Sequence, residues 1–268
     1  MDQQKLIELI TAQVLKEMQS SSQQGSSGET QQPAGTGGSG FSPSRSPQEL
    51  AQYIDHTQLK PDAPVEAFDK LCDEAVKYQF KSVCVNSSWV GYVSRKLQGT
   101  KVKVCSVVGF PLGAMTSRSK AFETREAIEA GASEIDMVLA IGRLKQGDLK
   151  YVEEDILAVR RATRSTTVLK VIIETSMLTQ EEKVLACQIS KKAGADFVKT
   201  STGFGGGGAT VEDVALMKSV VGKDVEVKAS GGVRTYQDAL DMIGSGATRI
   251  GTGSGVAVIT GTKATGNY

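Results

Sequence analysis

The chain has 268 residues, 40% hydrophobic and 23% charged, with a formal net charge of +1, enough apolar content to bury a large core. That balance, without a lysine or arginine block and with only 5% aromatic residues, argues against nucleic acid as a partner. Four scattered cysteines without a CxxC pair, Cys72, Cys84, Cys105 and Cys187, predict reduced thiols in a cytoplasmic protein, and no stretch approaches the roughly 18 apolar residues of a membrane span or resembles a secretory signal.

In chain order, "DQQKLIELITAQVLKEMQ" comes first. It sets Leu6, Ile10, Val14 and Met18 four apart, with Glu8, Lys16 and Glu17 on the other side, which predicts an amphipathic helix over residues 1–18. Residues 19–47 turn to Ser, Gly, Gln, Thr and Pro and read as a flexible linker. From residue 48 to 268 the texture is regular. Strands are predicted at "YIDHT", "SVCV", "VKVCSVVG", "EIDMVL", "VLKVIIE", "FVKTST", "VEVKAS" and "TRIGTG". Helices such as "PVEAFDKLCDEAVKYQ" and "TQEEKVLACQISKKAG" lie between them. Gly131, Gly194 and Gly246, in recurring "AGA" or "SGA" tripeptides, fit helix ends that lead into strands. Eight such units predict an α/β fold, a (β/α)₈ TIM barrel. A doubly wound sheet would more often show a GxGxxG after its first strand.

The site of such a barrel forms at the C-terminal ends of its strands. The polar residues closing these runs are Asp55 and Thr57, Cys84 and Asn86, Asp136, Lys170, Lys199 with Thr200 and Thr202, and Lys228 with Ser230. A buried ammonium is costly unless paired or neutral. Three strand lysines therefore need a reason, either a structural ion-pair network or a catalytic amine. In the catalytic reading Lys199 forms a Schiff base, and Lys228 on the adjacent strand keeps it neutral by like-charge repulsion and desolvation. The glycine-rich stretches "STGFGGGG", "KASGGVRT" and "RIGTGSG" fit phosphate-binding loops; the run Gly205 to Gly208 also fits simple flexibility. His56 is the single histidine, which disfavours metal catalysis and suits a packed or hydrogen-bonding residue. Cys84 reads as an ordinary buried thiol.

"YIDHTQLKP", "SVCVNSSWV", "VVGFPLG", "EIDMVLAIGRLKQGD", "LKVIIETSMLT", "DFVKTSTGF" and "VKASGGVRTYQDALDMIGSGATRIGTGSG" together resemble the deoxyribose-phosphate aldolases. These are class I enzymes that cleave 2-deoxyribose 5-phosphate to glyceraldehyde 3-phosphate and acetaldehyde. The resemblance implies Lys199 as the Schiff-base lysine, Lys228 as its perturbing neighbour and proton relay, and Asp136 as a general acid/base acting through water. It implies a substrate pocket at Asp55, Thr57, Cys84, Lys170, Thr200 and Thr202, a phosphate site at Gly203, Gly231, Gly232, Gly251 and Ser254, and no metal or organic cofactor. Phe204 stands where some members carry a lysine, and Tyr268 resembles a tail tyrosine that assists proton transfer in some. A homo-oligomer, dimer or tetramer, is expected. The alternatives are another Schiff-base sugar-phosphate aldolase or a non-catalytic sugar-phosphate-binding barrel. The helix over 1–18 resembles the encapsulation peptides of bacterial microcompartments, which implies a shell protein or cargo helix as partner and a microcompartment lumen as location; a self-association helix or a solubilising tail are the other readings.

Overall fold

The computed structural model describes residues 45–262; the predicted helix over 1–18, the linker up to 44 and Tyr268 lie outside them. Eight strands, β1 (Ile54–Gln58), β2 (Ser82–Val85), β3 (Lys103–Val108), β4 (Glu134–Val138), β5 (Val168–Ile172), β6 (Phe197–Lys199), β7 (Glu226–Ser230) and β8 (Arg249–Thr252), run parallel in chain order. They close into one barrel through β8 pairing with β1. The predicted (β/α)₈ TIM barrel is thus the observed fold, and each predicted strand is found. Among the described residues no helix is long and apolar enough to cross a membrane.

Local chemistry sets the element boundaries. Ser46, Thr179 and Thr235 each accept from the backbone N–H three residues on, while Glu49, Glu182 and Asp238 reach back to the capping residue's own N–H, satisfying donors that a helix start leaves open. The first of these helices begins at Pro47, so the expected barrel start at 48 falls one residue inside it. Gly131, Gly194 and Gly246 all have positive φ (115°, 81° and 111°), the left-handed exit that glycine adopts without a Cβ penalty.

Strand alternation sorts side chains into two layers. Ile54, Val83, Val104, Ile135, Leu169, Val198, Val227 and Ile250 are buried on the outer face, where the barrel meets its helices, each contributing about 1.5–3 kcal/mol of apolar burial. Residues one step out of phase face the barrel axis, and many are polar or charged: Asp55, Glu134, Asp136, Lys170, Lys199, Lys228 and Arg249, all buried. His56 belongs to the outer set. Its Nε2 lies 2.7 Å from Glu74 on helix Val65–Tyr78 and its ring tilts against Phe80 at 5.0 Å, the packed, hydrogen-bonding role expected of it.

Candidate active site

The interior charges form one network centred on Asp136. Its Oδ2 accepts from Lys199 Nζ and Lys228 Nζ, each at 2.8 Å. Its Oδ1 accepts from Lys170 Nζ at 2.7 Å and from the Cys105 thiol at 3.1 Å. Lys228 also donates to Asp55 Oδ2 at 2.5 Å. Below them Arg249 bridges Asp55 at 2.7 Å and Glu134 at 2.9 Å, and Glu134 lies 2.7 Å from Lys170. Four cationic side chains, Lys170, Lys199, Lys228 and Arg249, thus face three carboxylates, Asp55, Glu134 and Asp136. Among the described residues Lys199 has a single carboxylate partner, Asp136.

This geometry sets the ionisation. Burial alone would push the Asp136 carboxyl up, but Lys170, Lys199 and Lys228 outweigh it and hold Asp136 well below the usual carboxylate range. Asp55 is held down in the same way by Arg249, Lys228 and Lys170 against its burial. Burial would lower Lys228, yet Asp136 and Asp55 raise it above the ordinary lysine range. Lys170 is likewise raised, by Asp136, Cys105 and Glu134 against desolvation. Lys199 and Lys228 are register partners on β6 and β7, and both are drawn to one carboxylate oxygen, Asp136 Oδ2.

Cys84 is the register partner of Cys105, and the adjoining Cys105 side chain lowers its thiol, helped by Lys228 and Lys199 and opposed by burial and Asp136. Cys84, Cys105 and Asp136 bring three possible metal-binding atoms within 4.8 Å. The ammonium groups already held on Asp136 make that set electrostatically unsuited to a cation.

The remaining expected residues fall into two groups. Thr57 Oγ1 donates to the Asp55 carbonyl at 2.9 Å. Thr200 Oγ1 both donates to the Ser230 carbonyl and accepts its N–H, each at 3.0 Å, which ties β6 to β7. Gly251 lies within β8, where a Cβ would approach Lys228 Cε to 3.0 Å and Ser230 Oγ to 2.6 Å, so its lack of a side chain makes room for the lysine. At the rim, Gly203 and Gly232 are exposed. A Cβ on Gly231 would lie 3.6 Å from Gly203 Cα, so the loops after β6 and β7 adjoin. Ser254 precedes the helix Gly255–Thr260 with its N–H on Thr252 Oγ1 at 3.0 Å. Phe204, 44% exposed, meets Phe110 edge-on at 5.4 Å.

Sequence reasoning missed several members. Glu134 and Arg249 complete the network floor. Lys120, fully buried, donates to Asp155 at 2.6 Å and to the Val138 carbonyl at 2.9 Å, pinning the end of the strand that carries Asp136. Burial lowers Lys120 against the pull of Asp155. A helical lysine ordinarily reads as a solvent-facing residue, so only the facing Asp155 could have signalled it.

A parallel barrel with three lysines gathered on one buried carboxylate beneath a glycine-rich rim has the build of a carbonyl-handling enzyme. Comparison with known proteins names the class: the model of the DeoC/LacD family aldolases matches residues 49–261, and the chain belongs to that family. It is 61% identical over 219 residues to a deoxyribose-phosphate aldolase of Streptococcus gordonii, covering 82% of this chain and 99% of that protein. It is 60% identical to one of Brevibacillus brevis, over 81% and 98%. Among solved structures, the tetrameric deoxyribose phosphate aldolase of Aeropyrum pernix superposes with a TM-score of 0.75 at 35% identity, covering 80% of this chain and 91% of that one.

Proposed function

We propose that the chain is a metal-independent class I aldolase that reversibly cleaves 2-deoxyribose 5-phosphate to glyceraldehyde 3-phosphate and acetaldehyde. The observation that carries this reading is Lys199, buried at the end of β6 with its ammonium on Asp136. The Lys199 amine adds to the aldehyde carbon of the open-chain sugar, and loss of water leaves an iminium. A base takes the proton of the C3 hydroxyl while the C2–C3 electron pair moves into the iminium, releasing glyceraldehyde 3-phosphate and leaving an enamine. Protonation of that carbon and attack of water on the new iminium release acetaldehyde and restore the amine. Asp136 and Lys228, both firmly charged at rest, orient the water that carries these protons. Asp55, Thr57, Cys84, Lys170, Thr200 and Thr202 shape the pocket. Gly203, Gly231, Gly232, Gly251 and Ser254 form the phosphate site, with N–H groups of the glycine-rich loops and the Ser254 hydroxyl as donors.

Acetaldehyde with borohydride should attach a reduced two-carbon adduct at Lys199, read by peptide mass spectrometry. The absence of both the adduct and retro-aldol activity would leave a non-catalytic sugar-phosphate-binding barrel. An adduct with faster cleavage of another sugar phosphate would point to a different Schiff-base aldolase.

Two further readings rest on this one. Self-association into a dimer or tetramer is supported by the tetrameric relative, and light scattering measures it. The apolar stripe Leu6, Ile10, Val14, Met18 supports docking of residues 1–18 on a microcompartment shell protein or cargo helix, because so short a helix gains most of its stability from a partner. A shell would also retain volatile acetaldehyde. Fused to a fluorescent protein in shell-producing cells, residues 1–46 should give puncta that Leu6→Asp with Ile10→Asp disperses; a diffuse fusion sinks the targeting role alone.

A further inference from the structure

Glu174, just beyond the end of β5, is a carboxylate that the chemistry above does not use. It is 1% exposed and has a φ of 57°, a conformation that costs a residue with a Cβ about 1 kcal/mol or more. Its Oε2 accepts both the Thr202 N–H at 3.3 Å and the Thr202 hydroxyl at 2.5 Å, while its buried Oε1 has no hydrogen-bond partner among the described residues. A carboxylate can only accept, so the Thr202 hydroxyl must donate to it and keeps its lone pairs for the Phe204 N–H, 3.0 Å away. The turn through residues 202–204 is therefore fixed in direction by Glu174.

The glycine run that follows is shaped to the same wall. A Cβ on Gly205 would come within 2.6 Å of the Glu174 carboxyl carbon, one on Gly207 within 2.4 Å of Ser176 Cβ, and one on Gly208 within 2.5 Å of the Gly231 carbonyl oxygen. The Ala209 N–H then donates to that same carbonyl at 2.9 Å. Gly205, Gly207 and Gly208 are thus close-fitting backbone, laid between the Glu174–Ser176 turn and the loop after β7, while Gly206 has open space around it and a positive φ of 82°.

We infer that Glu174 is the positioning residue of the phosphate-binding rim: it anchors Thr202 and seats residues 203–208 against Gly231, so that the backbone donors of both loops converge on one phosphate. The inference rests on the phosphate-site reading of the proposed function. It predicts that Glu174→Met, similar in length but without acceptors, raises KM for 2-deoxyribose 5-phosphate about tenfold, the worth of one oriented hydrogen bond. KM for unphosphorylated 2-deoxyribose and proton exchange of acetaldehyde at Lys199 should stay within about twofold. Glu174→Gln, which keeps one acceptor oxygen for Thr202 and places its amide at the unpartnered position, should restore most of the affinity. Should Glu174→Met fold poorly, Glu174→Ala removes the same acceptors and should give the same split. Equal losses on both sugars, or an unchanged KM for the phosphorylated one, overturn the assignment. A wild-type chain that cleaves neither sugar defeats the aldolase reading instead; calorimetric binding of inorganic phosphate, weakened about tenfold by Glu174→Met, then still decides the role of Glu174.

Discussion

Replacing Lys199 with alanine is expected to lower kcat by roughly 10⁴-fold or more, the scale on which loss of a covalent nucleophile is felt, and to abolish the borohydride adduct. The barrel should stay folded. Removing this one cation leaves Lys170, Lys228 and Arg249 on Asp55, Glu134 and Asp136, so no buried carboxylate is orphaned and the interior charges balance. An unchanged far-ultraviolet circular dichroism spectrum together with lost turnover is the expected pair of results. Near-wild-type cleavage by the alanine variant would rule out the covalent route.

The second large effect is at Asp136. Asp136→Asn keeps the shape but withdraws the charge that Lys170, Lys199 and Lys228 share, leaving buried ammonium groups undercompensated. Breaking such a network costs about 3–5 kcal/mol, which for a barrel of this size lowers the thermal midpoint by roughly 10 °C. Turnover should fall about 10²–10⁴-fold through loss of the oriented proton path. The pH profile of stability follows from the same shifts. Asp55 and Asp136 are depressed, so their contribution is present above the unfolded carboxylate value of about 3.9 and is lost as pH falls below it towards their folded values. Lys170 and Lys228 are raised, so theirs is present below the unfolded lysine value of about 10.4 and is lost as pH climbs above it. Scanning calorimetry should show a plateau from about pH 5 to 9 with a fall on the acid side below about pH 4. Asp136→Asn should lie lower on the plateau and lose less in acid; coincident wild-type and variant curves would contradict the network.

The strands were legible because each is a short β-rich run ending in a polar residue, and the barrel because eight of them alternate with helices. Asp136, Lys170, Lys199 and Lys228 stood out as charges inside apolar runs. Glu134 and Arg249 did not, since both open their strands, where a charge reads as a solvated end; only the ladder register brings β4 and β8 together across the axis. Cys84 looked inert because its partner Cys105 is 21 positions away and meets it only through pairing of β2 with β3. Glu174 was hidden inside "VIIET", which reads as strand continuing outward. Its positive φ and its hold on Thr202 depend on a loop that begins well beyond it in sequence, and the glycines opposite carry no side chain to hint at what they touch.

The pairs that neutralise the interior join the two ends of the chain: Lys228 and Asp55 are 173 positions apart, Arg249 and Asp55 194. During synthesis Asp55 therefore lacks two of its three cationic neighbours until β7 and β8 emerge, with only Lys170 of β5 supplied earlier. At about 5–20 residues per second the ribosome needs roughly 10–40 s to supply Arg249 after Asp55. Until then the early strands have every reason to keep their carboxylates in water and none to close. A ribosome-stalled half-chain should accordingly be fully protease-sensitive, and the enzyme should gain its first activity only when the final strand docks, so that barrel closure and catalytic competence arrive as a single event.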